Sequence, residues 1–315
     1  MVRAFVFPGQ GSQAVGMGRE LAEAFPCARE VFQEVDEALG CNLSRLQFEG
    51  PIDVLTLTEN AQPAIMAVSM AVVRVLESDG IRIQDKARYV AGHSLGEYTA
   101  LTAAGALSLG DCARLLRTRG QAMQAAVPVG EGMMAAILGL SFEDVCAVVQ
   151  QAEQDVPGGV CEAANDNAPG QVVISGSVAA VERAIELAKE KGAKRAMPLQ
   201  VSAPFHCRMM EPAARVMEAA LAEVSVNAPC VPLIANVTAL PVSEPQEIRS
   251  LLVRQVTGSV RWRESVAFMA QDGVSGLVEL GAGKVLSGLA KRIAPDLEAF
   301  ALHTPKDIED FARQI

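Results

Sequence analysis

The sequence predicts an α/β fold: a parallel sheet with helices on its faces, carrying an inserted module of ferredoxin-like βαββαβ order. Three observations lead there. Tyr89-Val90-Ala91 reads as a buried strand and runs through Gly92-His93-Ser94-Leu95-Gly96 into an Ala/Leu-rich helix. On either side, short apolar strands alternate with stretches of helical periodicity. Between residues 133 and 199 the pattern becomes strand, helix, two strands across the turn-rich Asp166-Asn167-Ala168-Pro169-Gly170, helix, strand.

The elements follow in order. The first strand is expected at Ala4–Phe7, then the loop Pro8-Gly9-Gln10-Gly11-Ser12-Gln13 and a helix over 17–39. A mostly apolar helix covers 61–78 and precedes the strand and turn around Ser94. The module's strands are read at 133–140, 160–165, 171–176 and 194–199, and its helices at 141–152 and 178–192. Beyond it come a helix at 208–224, a strand at 232–237, helices at 246–256 and 262–271, a strand at 276–280 and a helix at 285–293. Residues 1–130 and 199–315 are expected to form one α/β-hydrolase-like catalytic domain, and 131–198 a subdomain whose two ends lie close together.

Composition narrows the function. A chain of 315 residues, half of them apolar, buries a full α/β core. A net charge of −10 argues against general nucleic-acid binding, which needs a basic surface. The seven cysteines form no C-x-x-C pair and read as reduced core thiols of a cytoplasmic protein. With three histidines (His93, His206, His303) and no Cys/His cluster, no metal site is expected. The longest uncharged stretch, 224–243, is broken by Pro229, Pro232 and Pro241, so no membrane span is expected.

The chemistry centres on Gly92-His93-Ser94-Leu95-Gly96. Glycines two residues either side of a serine permit a very tight strand-to-helix turn that presents the hydroxyl above the sheet. The first amides of the helix then face whatever the hydroxyl attacks. This suggests acyl transfer through a serine ester. A serine needs a base. His93 adjoins Ser94 and on a tight turn points elsewhere, in a structural role. His303, with Asp272 or Asp296, fits the chain order of α/β-hydrolases. His206 lies on a loop at a strand end, where sites gather. The residues alone leave these two open.

Arg119 is the second signal. In the helical stretch 111–126 it falls in the middle of an apolar face made by Cys112, Leu115, Leu116, Met123 and Ala126. Such an arginine snorkels, pairs with an internal carboxylate, or awaits an anionic ligand, and its planar fork suits a carboxylate. The loop at 8–13 lacks the third glycine of a dinucleotide fingerprint, but its amides suit an oxyanion. Gly281-Ala282-Gly283-Lys284 lacks the spacing of a Walker phosphate loop. No cofactor is expected.

Together FPGQGSQ, GHSLGEY, Arg119-Gly120-x-x-Met123, APFH, VRW and GAGKVL resemble the malonyl-CoA:acyl carrier protein transacylase family, in order over nearly the whole chain. The chain looks like the stand-alone bacterial type. That resemblance implies transfer of malonyl from malonyl-CoA, coenzyme A thioester being a substrate, to the phosphopantetheine thiol of acyl carrier protein, supplying fatty acid synthesis. It implies Ser94 as nucleophile and His206 as base, against His303. Gln255 matches the position whose main-chain carbonyl orients the histidine. Arg119 matches the residue that holds the malonyl carboxylate, and the amides of Gln10 and Leu95 match the oxyanion hole. Phe205, before the histidine, goes with a malonyl-sized pocket. An acidic carrier protein would need a basic face, offered by Lys189, Lys191, Lys194 and Arg195 or by Lys284, Lys291 and Arg292. The competing readings are a serine thioesterase or esterase using Ser94 and His303, an acyltransferase feeding polyketide synthesis, and a silent carrier-protein-binding module.

Overall fold

The structure is a computed structural model describing residues 1–315. Ten strands form two sheets: β1 (Arg3–Phe7), β2 (Ala87–Gly92), β3 (Gly132–Leu138), β4 (Cys161–Ala168), β5 (Gln171–Ser177), β6 (Arg195–Pro198), β7 (Leu233–Ile234), β8 (Pro241–Val242), β9 (Gly276–Leu280) and β10 (Glu298–Leu302). The larger sheet has the order β10-β9-β1-β2-β7-β8. Its strands run parallel except the two-residue edge β8, which turns back antiparallel on β7.

The central strands are apolar on both faces because helices cover both. Phe5 and Phe7 of β1, Val90 of β2 and Val278 of β9 pack into the large core under the helices Pro26–Leu39, Thr58–Ser78 and Leu109–Ala126. The alternate residues Ala4, Val6, Tyr89, Ala91 and Leu277 face the helices Trp262–Gln271 and Val285–Ile293. Period-two alternation thus divides one sheet between two apolar layers.

The smaller sheet has the order β4-β5-β3-β6, every pair antiparallel. Helices Phe142–Asp155 and Val178–Glu190 cover it and close a separate apolar cluster. Its first and last strands are neighbours, with Ala135 opposite Pro198, so the chain leaves and re-enters the larger unit at nearly one place. Strand β4 also touches that unit directly. The Val260 amide donates to Ala164 O at 2.9 Å, and the Asp166 amide donates to Val260 O at 3.0 Å. Arg263 Nε reaches both carboxylate oxygens of Asp166 at 3.0 and 2.9 Å. The Asp166 side chain is 1% exposed, and the burial raises its pKa despite the arginine.

The sequence reading needs correction at three places. The helix over 17–39 is two helices, Arg19–Ala24 and Pro26–Leu39, because Phe25 is extended and Pro26 starts a new helix. Only Leu233–Ile234 of the strand expected at 232–237 pairs in the sheet, since the Asn236 side chain is drawn to the turn around Ser94. The helix expected at 208–224 starts with a 3-10 turn, Arg208–Met210, before Glu211–Ala222. Strand β10 extends the sheet, and the helix Pro305–Ala312 follows it, both beyond the last element the pattern indicated.

One glycine decides how two helices meet. A Cβ on Gly120 would stand 2.5 Å from Glu59 Cα and 2.7 Å from Thr58 O. The helix Leu109–Ala126 therefore lies against the start of the helix Thr58–Ser78 backbone to backbone. In Gly120→Ala, the helix-propensity gain of about 1 kcal/mol is outweighed by a clash with main chain that cannot rotate away. We expect a net loss of about 1–3 kcal/mol, read as a lower denaturant midpoint at unchanged m-value.

Candidate active site

Strands β1 and β2 are parallel neighbours with Phe7 opposite Gly92. Their following loops therefore emerge side by side: Gly9–Gln13 from one, His93–Leu95 from the other. Ser94 sits at φ 53°, in the left-handed region that a serine rarely adopts. Two glycines allow this. A Cβ on Gly92 would fall 1.9 Å from Gly96 C, and one on Gly96 would fall 2.2 Å from Phe7 O. The turn is tied down by Asn236, whose Oδ1 accepts from the Ser94 amide at 2.9 Å and whose Nδ2 donates to Gly92 O at 2.7 Å.

The three histidines separate cleanly. His206 Nε2 lies 2.8 Å from Ser94 Oγ. Its Nδ1 faces two main-chain carbonyls, Gln255 O at 2.9 Å and Gly258 O at 3.2 Å. Both are acceptors, so Nδ1 carries the proton and Nε2 is left to accept from the hydroxyl. His206, like Ser94, has a positive φ, 60°. His93 points away, with Nε2 2.8 Å from Asn167 Oδ1 and its ring edge-on to Trp262. His303 lies 3.2 Å from Asp307 on the C-terminal helix and lines no part of the cavity at Ser94. Asp272 is engaged by Arg88 and Tyr89. The Ser94–His303 arrangement of the hydrolase reading is not formed.

Arg119 is 1% exposed and stands beside Ser94. Its Nη2 donates to Ser94 Oγ at 3.1 Å and to Gln255 Oε1 at 2.9 Å, and its Nη1 donates to Gln62 Oε1 at 2.8 Å. Its Nε has no partner, and the guanidinium lies 5.7 Å from the centre of the Tyr98 ring. Every group that holds it is neutral. This is not a snorkelling arginine, and no carboxylate is in hydrogen-bond contact with it. The guanidinium faces a cavity of about 360 Å³ lined also by Gln10, Leu95, Met134, Asn165 and Phe205.

Gln255 connects the whole arrangement. Its main-chain oxygen receives His206, its Oε1 receives Arg119, and its Nε2 donates to Ser94 O at 2.8 Å and Glu97 Oε2 at 2.7 Å. The Gln10 amide and the Leu95 amide donate to no group of the chain, and both residues line the cavity. The Gln10 side chain is anchored by Thr58, which in turn accepts from Gln62, the partner of Arg119.

Burial sets the protonation states. His206 is pushed down to about 3, first by desolvation and then by the Arg119 charge, against the pull of its two carbonyl partners. It is therefore neutral at physiological pH. Desolvation also lowers Arg119, and raises Glu97 to about 7. No group of three or more His, Cys, Asp or Glu side chains gathers as a metal site, and no helix is long and apolar enough to cross a membrane.

The sequence reading missed Gln62, Asn236, the side chain of Gln255, and Glu97. Gln62, Asn236 and Glu97 are polar residues among mostly apolar neighbours, the signal that singled out Arg119, whereas Gln255 follows Arg254 and carries no such mark. All four are buried, with at most 1% exposure.

Comparison with known proteins agrees along the chain. Residues 4–292 match the family model described as acyl transferase domain. A malonyl CoA-acyl carrier protein transacylase of Bacillus subtilis (strain 168) is 47% identical over 306 residues, covering 97% of this chain and 95% of that protein. The crystal structure of acyl-carrier-protein-S-malonyltransferase from Bartonella henselae superposes with a TM-score of 0.97 at 57% identity, covering 100% of this chain and 99% of that one. A malonyl-transacylase solved in complex with its type II PKS acyl-carrier protein superposes with a TM-score of 0.96 at 41% identity, both chains covered in full at 100%. The chain belongs to the acyl transferase family, among the malonyl CoA-acyl carrier protein transacylases.

Proposed function

We propose that this chain transfers the malonyl group from malonyl-CoA to the phosphopantetheine thiol of acyl carrier protein, through an acyl-serine intermediate, and so supplies fatty acid synthesis in the cytoplasm. The observation that carries this reading is the buried Arg119 guanidinium, held only by neutral groups and in contact with Ser94 Oγ. A cation kept dry with no carboxylate in hydrogen-bond contact fits an anionic ligand attached to that hydroxyl.

Ser94 Oγ attacks the thioester carbon while its proton passes to His206 Nε2. The positive charge formed on the imidazole is supported by the carbonyls of Gln255 and Gly258, which stand where a triad would have its carboxylate. The oxyanion is received by the Gln10 and Leu95 amides, each such donor contributing about 3 kcal/mol at the transition state. Coenzyme A leaves as a thiol with the proton from His206. The carrier-protein thiol then attacks the ester, returns its proton through His206, and frees Ser94. Arg119 holds the distal carboxylate through both steps, and Phe205 bounds the acyl pocket. An acetyl group would offer Arg119 no carboxylate in the cavity, and a site built to pair a polar group rejects the analogue that lacks it.

The division of labour follows the two sheets. Residues 1–130 and 199–315 form the catalytic domain in this proposal, and 131–198 a ferredoxin-like subdomain that walls the cavity with Met134, Asn165 and Asn167. The two basic clusters meet at the hairpin after Asn167. Arg292 donates to Pro169 O at 3.0 Å, and Lys194 packs on Gly139, whose amide donates to Gly170 O at 2.9 Å. Lys284 follows Gly283, which lies next to Ser12 of the loop after β1. Lys191 is spent on Asp144. The exposed Lys194, Arg195, Lys284 and Arg292 thus supply a positive face beside the cavity for an acidic carrier protein.

Intact-mass measurement tests the reaction. Incubation with malonyl-CoA is expected to add one malonyl group to the wild type and none to Ser94→Ala; an unmodified wild type would refute the proposal. In Arg119→Ala the malonyl-over-acetyl preference is expected to fall by up to about 10⁴-fold, and a preserved preference would remove Arg119 from the carboxylate site. Because His206 is depressed by burial, kcat/KM is expected to keep its full value as pH falls through the ordinary imidazole value of about 6.5. A stopped assay across that range would instead show a one-proton decline if the ring titrated normally. Charge removal at Lys284 and Lys194 is expected to slow transfer to carrier protein and flatten its salt dependence, with malonyl-serine formation nearly unchanged. Equal salt slopes in variant and wild type would place the docking face elsewhere.

A further inference from the structure

Glu97 lies one turn behind Ser94 and is 1% exposed. Its Oε2 accepts from Gln255 Nε2 at 2.7 Å and from the Asn236 amide at 3.3 Å. Its Oε1 has no hydrogen-bond partner. A carboxylate can therefore stay ionised there only by virtue of those two donors and of the Arg119 charge across the Gln255 amide.

The amide itself has two orientations that differ by exchanging Oε1 and Nε2. In the one observed, Oε1 faces the Arg119 donor and Nε2 faces three acceptors: Ser94 O, Glu97 Oε2 and Asn236 Oδ1. The other would set donor against donor and acceptor against acceptor. Glu97 supplies the one acceptor of the three that carries a charge. Protonation at Oε1 leaves both bonds to Oε2 in place, so the same geometry serves the acid and the carboxylate.

We propose that Glu97 is a positioning residue and the counter-charge of Arg119: it balances the guanidinium as a carboxylate while the site is empty, and takes one proton from bulk solvent when a substrate carboxylate binds there. The proposal rests on the malonyl-transfer reading and extends it. With the substrate bound, two carboxylates would share one buried cation, and the less solvated one takes the proton. The O–H bond forms at Glu97 Oε1, and the buffer acid supplies the proton. No electron pair moves between substrate and protein in this step.

The groups facing Glu97 are few. Arg119 comes from the helix Leu109–Ala126 and is the ionised group that acts on it. Gln255 and Asn236 are neutral amides from the helix Pro245–Thr257 and from the segment after β7. Tyr98, on its own helix, is held protonated by burial. The carboxyl is raised to about 7, first by desolvation, so it stands partly ionised at neutral pH.

The test is proton uptake on mixing enzyme with malonyl-CoA in weak buffer. At about pH 8 the wild type is expected to take up close to one proton per malonyl-serine formed, relative to Glu97→Gln, and at about pH 6 much less, because the acid is already protonated. The KM for malonyl-CoA is expected to rise by up to about tenfold per pH unit above neutrality in the wild type and to stay flat in Glu97→Gln. A purely structural role would alter kcat or stability without removing that slope. Should Glu97→Gln not fold, infrared difference spectra of wild type labelled with carbon-13 at the glutamate carboxyl are expected to gain a protonated-carboxyl band on malonylation. Equal proton counts in the two proteins, or no labelled band, overturns the proposal. Failure to form malonyl-serine at all would instead sink the transfer reading on which it depends.

Discussion

A buried guanidinium that no carboxylate touches is the constraint around which this molecule is arranged. Arg119 is 1% exposed and touches only amide and hydroxyl oxygens. Removing such a charge from water costs several kcal/mol, and three neutral acceptors recover only part of it. The fold retains the deficit by packing. Gly120 brings Gln62 within reach, and Gln255 arrives from a helix more than a hundred residues further along the chain.

The remaining parts reach Ser94 by topology. Because β1 and β2 are parallel and adjacent, the two turns at their C-terminal ends share one edge of the sheet. Unpaired amides of both turns then face one space. Neither turn could hold its shape with ordinary residues, since added Cβ atoms at Gly92 and Gly96 would strike main chain. The strain at Ser94 is offset by Asn236, which receives its amide and bonds the strand behind it. The inserted module is held to the same edge through Val260 and the Asp166–Arg263 pair, so its β4 forms a wall of the cavity.

One dry, cationic environment sets the titratable groups apart. Desolvation and Arg119 both act against a charged His206, which is left neutral with a free Nε2. Desolvation acts against a charged Glu97, and Arg119 acts for it. The same burial thus shifts both groups, and no acidic residue touches the histidine. Carbonyl oxygens orient the ring in that position without placing a negative charge beside it.

The local signals were legible in the chain. Apolar periodicity located most elements, the glycine spacing around Ser94 marked the tight turn, and an arginine on a greasy helix face marked an internal cation. The broken helix at Pro26 was also written in the sequence, since a proline fits the first turn of a new helix better than the interior of an old one. Which histidine meets Ser94 was not decided by spacing: His206 and His303 both lay on loops, and only the placement of the helix Pro245–Thr257 beside Ser94 gives one of them its two carbonyl partners. Gln62, Asn236 and Glu97 stayed hidden for the same reason. A polar side chain in an apolar run announces that it needs a partner, but the partner is chosen by chain segments distant in sequence, and that choice exists only once the sheet order and the helix approach at Gly120 have brought them together.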